Sequence, residues 1–454
     1  MNKSLDAKLA EIKANPATRA FIIADAKDAD MAFGVRAPGP RSYLSTRGAR
    51  AARFSPEVWS REEFGYRNIP EFLDIIREIV RQGQVDIMLM SASVNEQLTI
   101  KEGLFRQSHV TPAARANDTT DIWAVREGRY LREPAHPFRT ATIDHIQCGK
   151  VECERAAGEF PGANLGLYSI TFVNDLEQDL ATLQAFKEFR EEAERKQFRY
   201  FLEVFDPNVA SGVPPEKLGE FINDNIVRSL AGVTEAGRPL FLKIVYHGPR
   251  LMEELAQYDP NLIVGVLGGS AGTTYDAFRL IHEAQKYGAR VALFGRKINH
   301  AEHQLAFIEM LRQITAGRIS PEEAVRAYHA VLAAYKIKTK LSLEKDSELT
   351  DPAMSYGSSG RSRVSAPGEP APQAAGAAPA PGAAERGSAP SPPEGAGASC
   401  GCRRESAPAG PPAKPDSAPV PLWPVKPDGA PDFARMTSAQ RLAYDQERLT
   451  RKFG

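Results

Sequence analysis

Hydrophobic and polar positions alternate in blocks along most of this chain. Short apolar runs are followed by amphipathic stretches with the 3.6-residue period of helices. The N-terminal 1–15 segment reads as a surface helix. Phe21 to Ala26 then forms an apolar run ending in acidic and small residues, as a strand would. Pro70 opens a helix through Val80, with Phe72, Ile75, Ile76 and Ile79 on one face. Further strands are expected at Val85 to Met90, Asp121 to Ala124, Arg139 to Ile143, Leu165 to Val173 and Tyr200 to Phe205. A charged amphipathic helix is expected from Leu176 to Lys196, and another at 215–230. The second half continues the alternation. Strands centre on Lys243, on Leu262 to Leu267 and on Arg290 to Phe294, with helices at 249–257, 273–287 and His300 to Ala316. Ser320-Pro321-Glu322-Glu323 begins a last helix: Ser caps it, Pro takes its first position and Glu323 completes a capping box.

About eight strand candidates alternating with helices over roughly 300 residues predict an α/β fold, a (β/α)8 TIM barrel, within residues 1–350. No glycine-rich dinucleotide turn follows the first strand, which argues against a doubly wound sheet. Residues 27–68 carry no clear periodicity and read as an insertion after the first strand. It is rich in arginine: Arg36, Arg41, Arg47, Arg50 and Arg53. These could hold a second phosphate, form a lid, or simply be solvated. Beyond about residue 350 the composition changes to Ala, Pro, Gly and Ser. A disordered tail is expected over 351–432, because so few large apolar residues cannot offset the entropy of ordering. Residues 433–454 read as a short C-terminal helix.

The zero net charge of the 454-residue chain offers no general attraction for nucleic acid or an anionic membrane. No apolar run is long enough to span a bilayer, and Met1 to Asn15 lacks the apolar core of a signal peptide. Four cysteines make no disulfide framework at this size, and a cytoplasmic location is expected. Cys148, Cys153, Cys400 and Cys402 lack the spacing of a zinc site. His300 and His303 have no neighbouring carboxylate or cysteine set, so no metal and no cofactor is expected.

Within the run Pro239 to Gly248, Lys243 stands alone as a charge in a buried strand. Desolvation disfavours its ammonium, and a neutral amine forms Schiff bases with carbonyl compounds. In a βα barrel the chemistry sits where strands end at the C-terminal face. Those ends supply Asp25 on the first strand and Glu203 on the strand before Lys243. They also supply Gly268, Gly269 and Ser270 after the seventh strand and Gly295, Arg296 and Lys297 after the eighth. Glycine turns that open helices, with Arg or Lys beside them, suit a phosphate. Glu203 is the first choice for proton transfer and Asp25 the second, with Tyr168 and Tyr246 as further hydroxyl donors or plain core aromatics.

Residues 200–311 resemble the class I aldolases of the archaeal-type fructose-bisphosphate, tagatose-bisphosphate and deoxyribose-phosphate group. The resemblance rests on Lys243 and Tyr246 in a Lys-x-x-Tyr context, on Gly268-Gly269, on Gly295-Arg296, on Leu202-Glu203 and on Asp25. It implies a sixth-strand Schiff-base lysine, a phosphorylated sugar as partner, a metal-independent aldehyde-lyase and a homo-oligomer. The chain departs from the group in its Arg-rich insertion, in a fourth strand without lysine, in Phe205 where some branches have a tyrosine, and in Lys297 where an asparagine is usual. Two rival readings are a lysine-dependent acyl or dihydroxyacetone transfer, and a non-catalytic barrel that binds a sugar phosphate.

Overall fold

Eight parallel strands close into a barrel in a computed structural model of the chain. The structure describes residues 2–39, 66–153, 160–268 and 272–350, with isolated positions between 424 and 444. Two units are distinguished: Met1–Ala52 with Phe64–Ala371, which contains the barrel, and Arg53–Glu63 with Pro372–Gly454. The strands are β1 Ile22–Lys27, β2 Ile87–Met90, β3 Thr111–Arg115, β4 Leu165–Thr171, β5 Arg199–Phe205, β6 Leu242–Ile244, β7 Gly265–Leu267 and β8 Val291–Phe294. Each pairs with its neighbours in sequence, and β8 closes on β1 through Ile22↔Val291 to Asp25↔Phe294. Lys243 is therefore on the sixth barrel strand.

Side-chain alternation along each strand divides the apolar residues between two cores. Ile22, Ala24 and Ala26, Leu165 and Leu167, and Phe201 pack inside the barrel, where Phe241 joins them. Ile23, Ile170, Leu202, Val204 and Ile244 pack outward against the helices. The N-terminal helix Ser4–Ala14 contributes Leu5, Leu9 and Ile12 to the inner cluster and so seals the N-terminal end of the barrel. Its Lys8 reaches Asp86, just before β2, at 2.8 Å, and Arg312 meets the same carboxylate at 2.9 Å.

Three sequence expectations are corrected. Asp121 to Ala124 is no strand; Thr120–Ile122 is a 3-10 turn. Arg139 to Ile143 is no strand either: Ile143 begins the helix Ile143–Cys148, capped by Thr142 with a reciprocal His145 contact. The third barrel strand is Thr111–Arg115, whose Ala-rich run and Pro112 give no strand signature. Pro112 is tolerated because β3 meets β4 only at Ala114↔Gly166 and Arg115↔Leu167. The bond on its other side is made one residue earlier, from the Thr111 N–H to the Asp86 carbonyl. The helix expected from His300 is split into Arg296–His300 and Gln304–Thr315. Helix Pro321–Ala334 carries the capping box read from Ser320 and Glu323. Of the insertion, Asp30–Phe33 and Gly34–Arg36 are short helical turns, and 40–65 lies outside the described residues. Most of the tail and of the expected C-terminal helix lies outside them too.

Candidate active site

Glu203 and Lys243 are register partners on adjacent strands β5 and β6. Both are on the inward-facing alternation, one residue pair beyond the apolar layer of Phe201 and Phe241. Burial leaves Glu203 1% and Lys243 8% exposed, and Lys243 Nζ forms an ion pair with Glu203 Oε1. Such a pair survives in a low-dielectric interior only if the remaining lone pairs are satisfied. Glu203 Oε2 accepts a hydrogen bond from Ser169 Oγ at 2.7 Å, and Ser169 is its register partner on β4. Arg115, at the end of β3, is also buried. Its Nη1 donates to Ser169 Oγ (3.3 Å), its Nε donates to Asp28 Oδ2 (2.7 Å) and its Nη2 stands 3.9 Å from Glu203 Oε2. Although burial disfavours its charge, Asp28, Glu203 and Asp118 outweigh that and hold the guanidinium protonated. Asp118, 4.0 Å from Arg115, is pushed up to about 6 by burial, against the pull of Arg115.

Asp25 does not join this centre. It lies on the alternation of Ile23, which faces the helices, and its carboxylate pairs with Lys27 Nζ at 2.8 Å. Both side chains are wholly buried. Burial raises Asp25 and lowers Lys27, each effect opposed by the other member of the pair. The acidic residue of β1's end that reaches the centre is instead Asp28, through Arg115.

Gly268 and Gly295 are glycines for packing reasons. A Cβ on Gly268 would lie 2.2 Å from the Phe294 ring, and one on Gly295 would lie 3.1 Å from Ala26 Cβ. The Gly268 N–H is spent on the Leu293 carbonyl at 2.9 Å. Gly269 and Ser270 lie outside the described residues. The helix after β7, Thr274–Lys286, has an N-terminus occupied by its own chain: Thr274 N–H donates to Asp346 Oδ1 (2.7 Å), and Thr273 and Asp276 cap each other. Arg296 and Lys297 follow β8 and are half-buried. Burial draws Arg296 down to about 10, with Glu203 acting the other way, and Lys297 down to about 8, with Asp346 acting the other way. His300 is lowered to about 4 by burial and by the cations Lys340, Arg296, Arg67 and Lys27.

Tyr168 and Tyr246 are buried in the helix-side core. Tyr168 stacks on Phe189 at 4.3 Å, and burial pushes its phenol up. His303 caps its helix by accepting from the Ala306 N–H. Arg36 donates to the Ala124 carbonyl at 2.6 Å; Arg41, Arg47, Arg50 and Arg53 lie outside the described residues. Cys148 and Cys153 are joined by a disulfide. Among the described residues no group of three His, Cys, Asp or Glu is placed to hold a metal ion. Arg115, Ser169, Asp28 and Lys27 are not singled out by the sequence pattern. For Arg115 and Ser169 the available signal is a polar residue towards the C-terminal end of a strand, but the strand of Arg115 has no strand signature of its own.

No protein-family model and no curated protein matches the chain. Solved structures similar to it include an archaeal fructose 1,6-bisphosphate aldolase, at 14% identity and a TM-score of 0.46 over 68% of this chain and 99% of that one. An archaeal fructose-1,6-bisphosphate aldolase with its catalytic Lys covalently bound to the carbinolamine intermediate of the substrate matches at 14% identity and a TM-score of 0.45, over 68% and 99% of the two chains. The YdjI aldolase from Escherichia coli K12 matches at 9% identity and a TM-score of 0.35, over 72% and 97%.

Proposed function

We propose that the chain is a class I aldolase in which Lys243 forms a Schiff base with a phosphorylated ketose or a related hydroxy-carbonyl compound. The observation that carries this reading is the buried pairing of Lys243 with Glu203 across β6 and β5 at the C-terminal end of a closed barrel. A lysine with a carboxylate beside it can lose a proton to that carboxylate and become a nucleophile. The amine adds to the carbonyl carbon, and the carbinolamine loses water to give a protonated imine. That imine withdraws the electron pair of the neighbouring C–C bond. Cleavage releases an aldehyde and leaves an enamine, which is protonated and hydrolysed from the lysine; synthesis is the reverse. Glu203 is the group that accepts and returns protons in this scheme. Arg296 and Lys297, whose charges burial disfavours, would gain from a bound phosphate.

Dihydroxyacetone phosphate is a suitable carbonyl probe. Borohydride reduction in its presence is expected to fix the probe on the peptide that contains Lys243. Glu203→Gln is expected to slow cleavage of a ketose phosphate by about two orders of magnitude, the usual range for a lost general acid or base. Full cleavage activity in that variant would remove Glu203 from the mechanism. Added chelator is expected to leave the activity unchanged, and its loss would contradict a metal-free route.

A further inference from the structure

The two carboxylate oxygens of Glu203 are engaged differently. Oε1 faces Lys243, whereas Oε2 is held by Ser169 Oγ at 2.7 Å and lies 3.9 Å from Arg115 Nη2. Ser169 Oγ uses both of its capacities here, donating to Glu203 and accepting from Arg115 Nη1. Arg115 is fixed from the other side by Asp28, beyond the end of β1. Ser169 is fixed by Asn117, whose side-chain amide takes the Ser169 N–H (2.7 Å) and donates to the Ser169 carbonyl (2.8 Å). Asn117 thereby continues the β3–β4 ladder with a side chain where the backbone register has ended. The result is a chain of contacts over the barrel mouth, from Asp28 through Arg115 and Ser169 to Glu203 and Lys243. Every member is buried.

We infer that Arg115, acting with Ser169, is a positioning residue: it holds Glu203 Oε2 so that Oε1 is presented to Lys243. A guanidinium fork suits this task, because its planar donors reach Asp28, Ser169 and the neighbourhood of Glu203 at once, where an ammonium would be a point charge. A free carboxylate would rotate about its last torsion, which is broad, and divide its time between orientations. The Ser169 hydrogen bond on Oε2, with the Arg115 charge 3.9 Å from the same oxygen, restricts that freedom. Among the described residues, charged groups that bear on Glu203 include Lys243, Arg115, Arg296 and Asp121. A substitution that keeps net charge therefore reports on geometry alone. The inference rests on the proposed role of Lys243 as a nucleophile, but its test does not require a sugar substrate.

The test is the rate at which acetic anhydride acylates Lys243 at graded pH, read by peptide mass spectrometry on the full chain. Arg115→Lys keeps the charge and loses the fork. Ser169→Ala removes one hydrogen bond and no charge. Both are expected to loosen Glu203, weaken its hold on the ammonium and lower the pH at which Lys243 becomes reactive. A shift of about half a unit, or roughly a threefold rise in rate on the acid side, is expected, with Glu203→Gln shifting further in the same direction. Profiles of Arg115→Lys and Ser169→Ala that superimpose on the wild type would overturn the inference. Ser169→Ala decides the matter if Arg115→Lys does not fold. Borohydride trapping of dihydroxyacetone phosphate on the wild type scores the aldolase reading separately. A wild type that cannot be trapped, with shifted variant profiles, would sink that reading and leave the role of Arg115 standing.

Discussion

Asp28, Arg115, Glu203 and Lys243 are buried charges at the barrel mouth, and each is tolerated because of a named partner. Asp118 shows the cost, since burial outweighs Arg115 and pushes its carboxyl up to about 6. The sign for stability follows. A carboxyl that binds its proton more tightly in the fold than in the unfolded chain stabilises the fold most at low pH. That benefit is lost between the unfolded value near 4 and the folded value. Asp118→Asn should therefore leave the melting temperature near pH 4 almost unchanged and raise it at pH 8. A shift of about two units corresponds to on the order of 2–3 kcal/mol. A melting curve at pH 8 that falls in the variant would show that Asp118 is needed as an anion beside Arg115. The Asp25–Lys27 pair teaches the same lesson from the sequence side. An acidic residue near the end of β1 was legible, but the alternation that turns it away from Lys243 follows only once the inward positions Ile22, Ala24 and Ala26 are known.

At the scale of elements, long apolar runs and capped amphipathic helices were legible, and the elements that broke those rules were not. The strands around Phe201, Lys243 and Leu293 are apolar enough to be read directly. β3 was not, because Thr-Pro-Ala-Ala-Arg is selected by its place in the barrel: Ala113 is small enough for the interior and Arg115 is held by groups from other strands. Without a strand signature for β3, nothing in the sequence places Arg115 at a strand end. The glycine after β7 also serves the fold: its N–H joins the strand ladder and its missing side chain makes room for Phe294. Gly268→Ala should accordingly destabilise the fold by about 1–3 kcal/mol, the usual range for an overpacked core, measured by urea denaturation. A neutral outcome would mean that Phe294 moves aside freely.

Across the whole barrel, the candidate site and the stabilising ion pairs are separated between its two ends. The C-terminal end gathers Lys243, Glu203, Ser169 and Arg115, whereas the N-terminal end is closed by the helix Ser4–Ala14 and by Asp86 with its two cations. Burial works to raise Asp86, but Arg312 and Lys8 outweigh it and hold the carboxyl below its usual range. Its contribution is present above the unfolded value and is lost as pH falls through the folded one. Asp86→Asn should cost about 3–5 kcal/mol at pH 7, as expected for breaking a buried pair, and much less near pH 3. Equal loss at both pH values, in urea titrations, would show that the ion pair is not the source.

The barrel was legible from its alternating elements and Lys243 from its solitary charge. The partners of Lys243 belong to four other strand ends that only the closed topology brings together. The most direct test of the central claim is borohydride reduction of the wild type and of Lys243→Met in the presence of dihydroxyacetone phosphate, followed by peptide mass spectrometry. The account predicts one adduct on Lys243 in the wild type and none in the variant. No adduct in the wild type, or an adduct on a different lysine in both proteins, would contradict it.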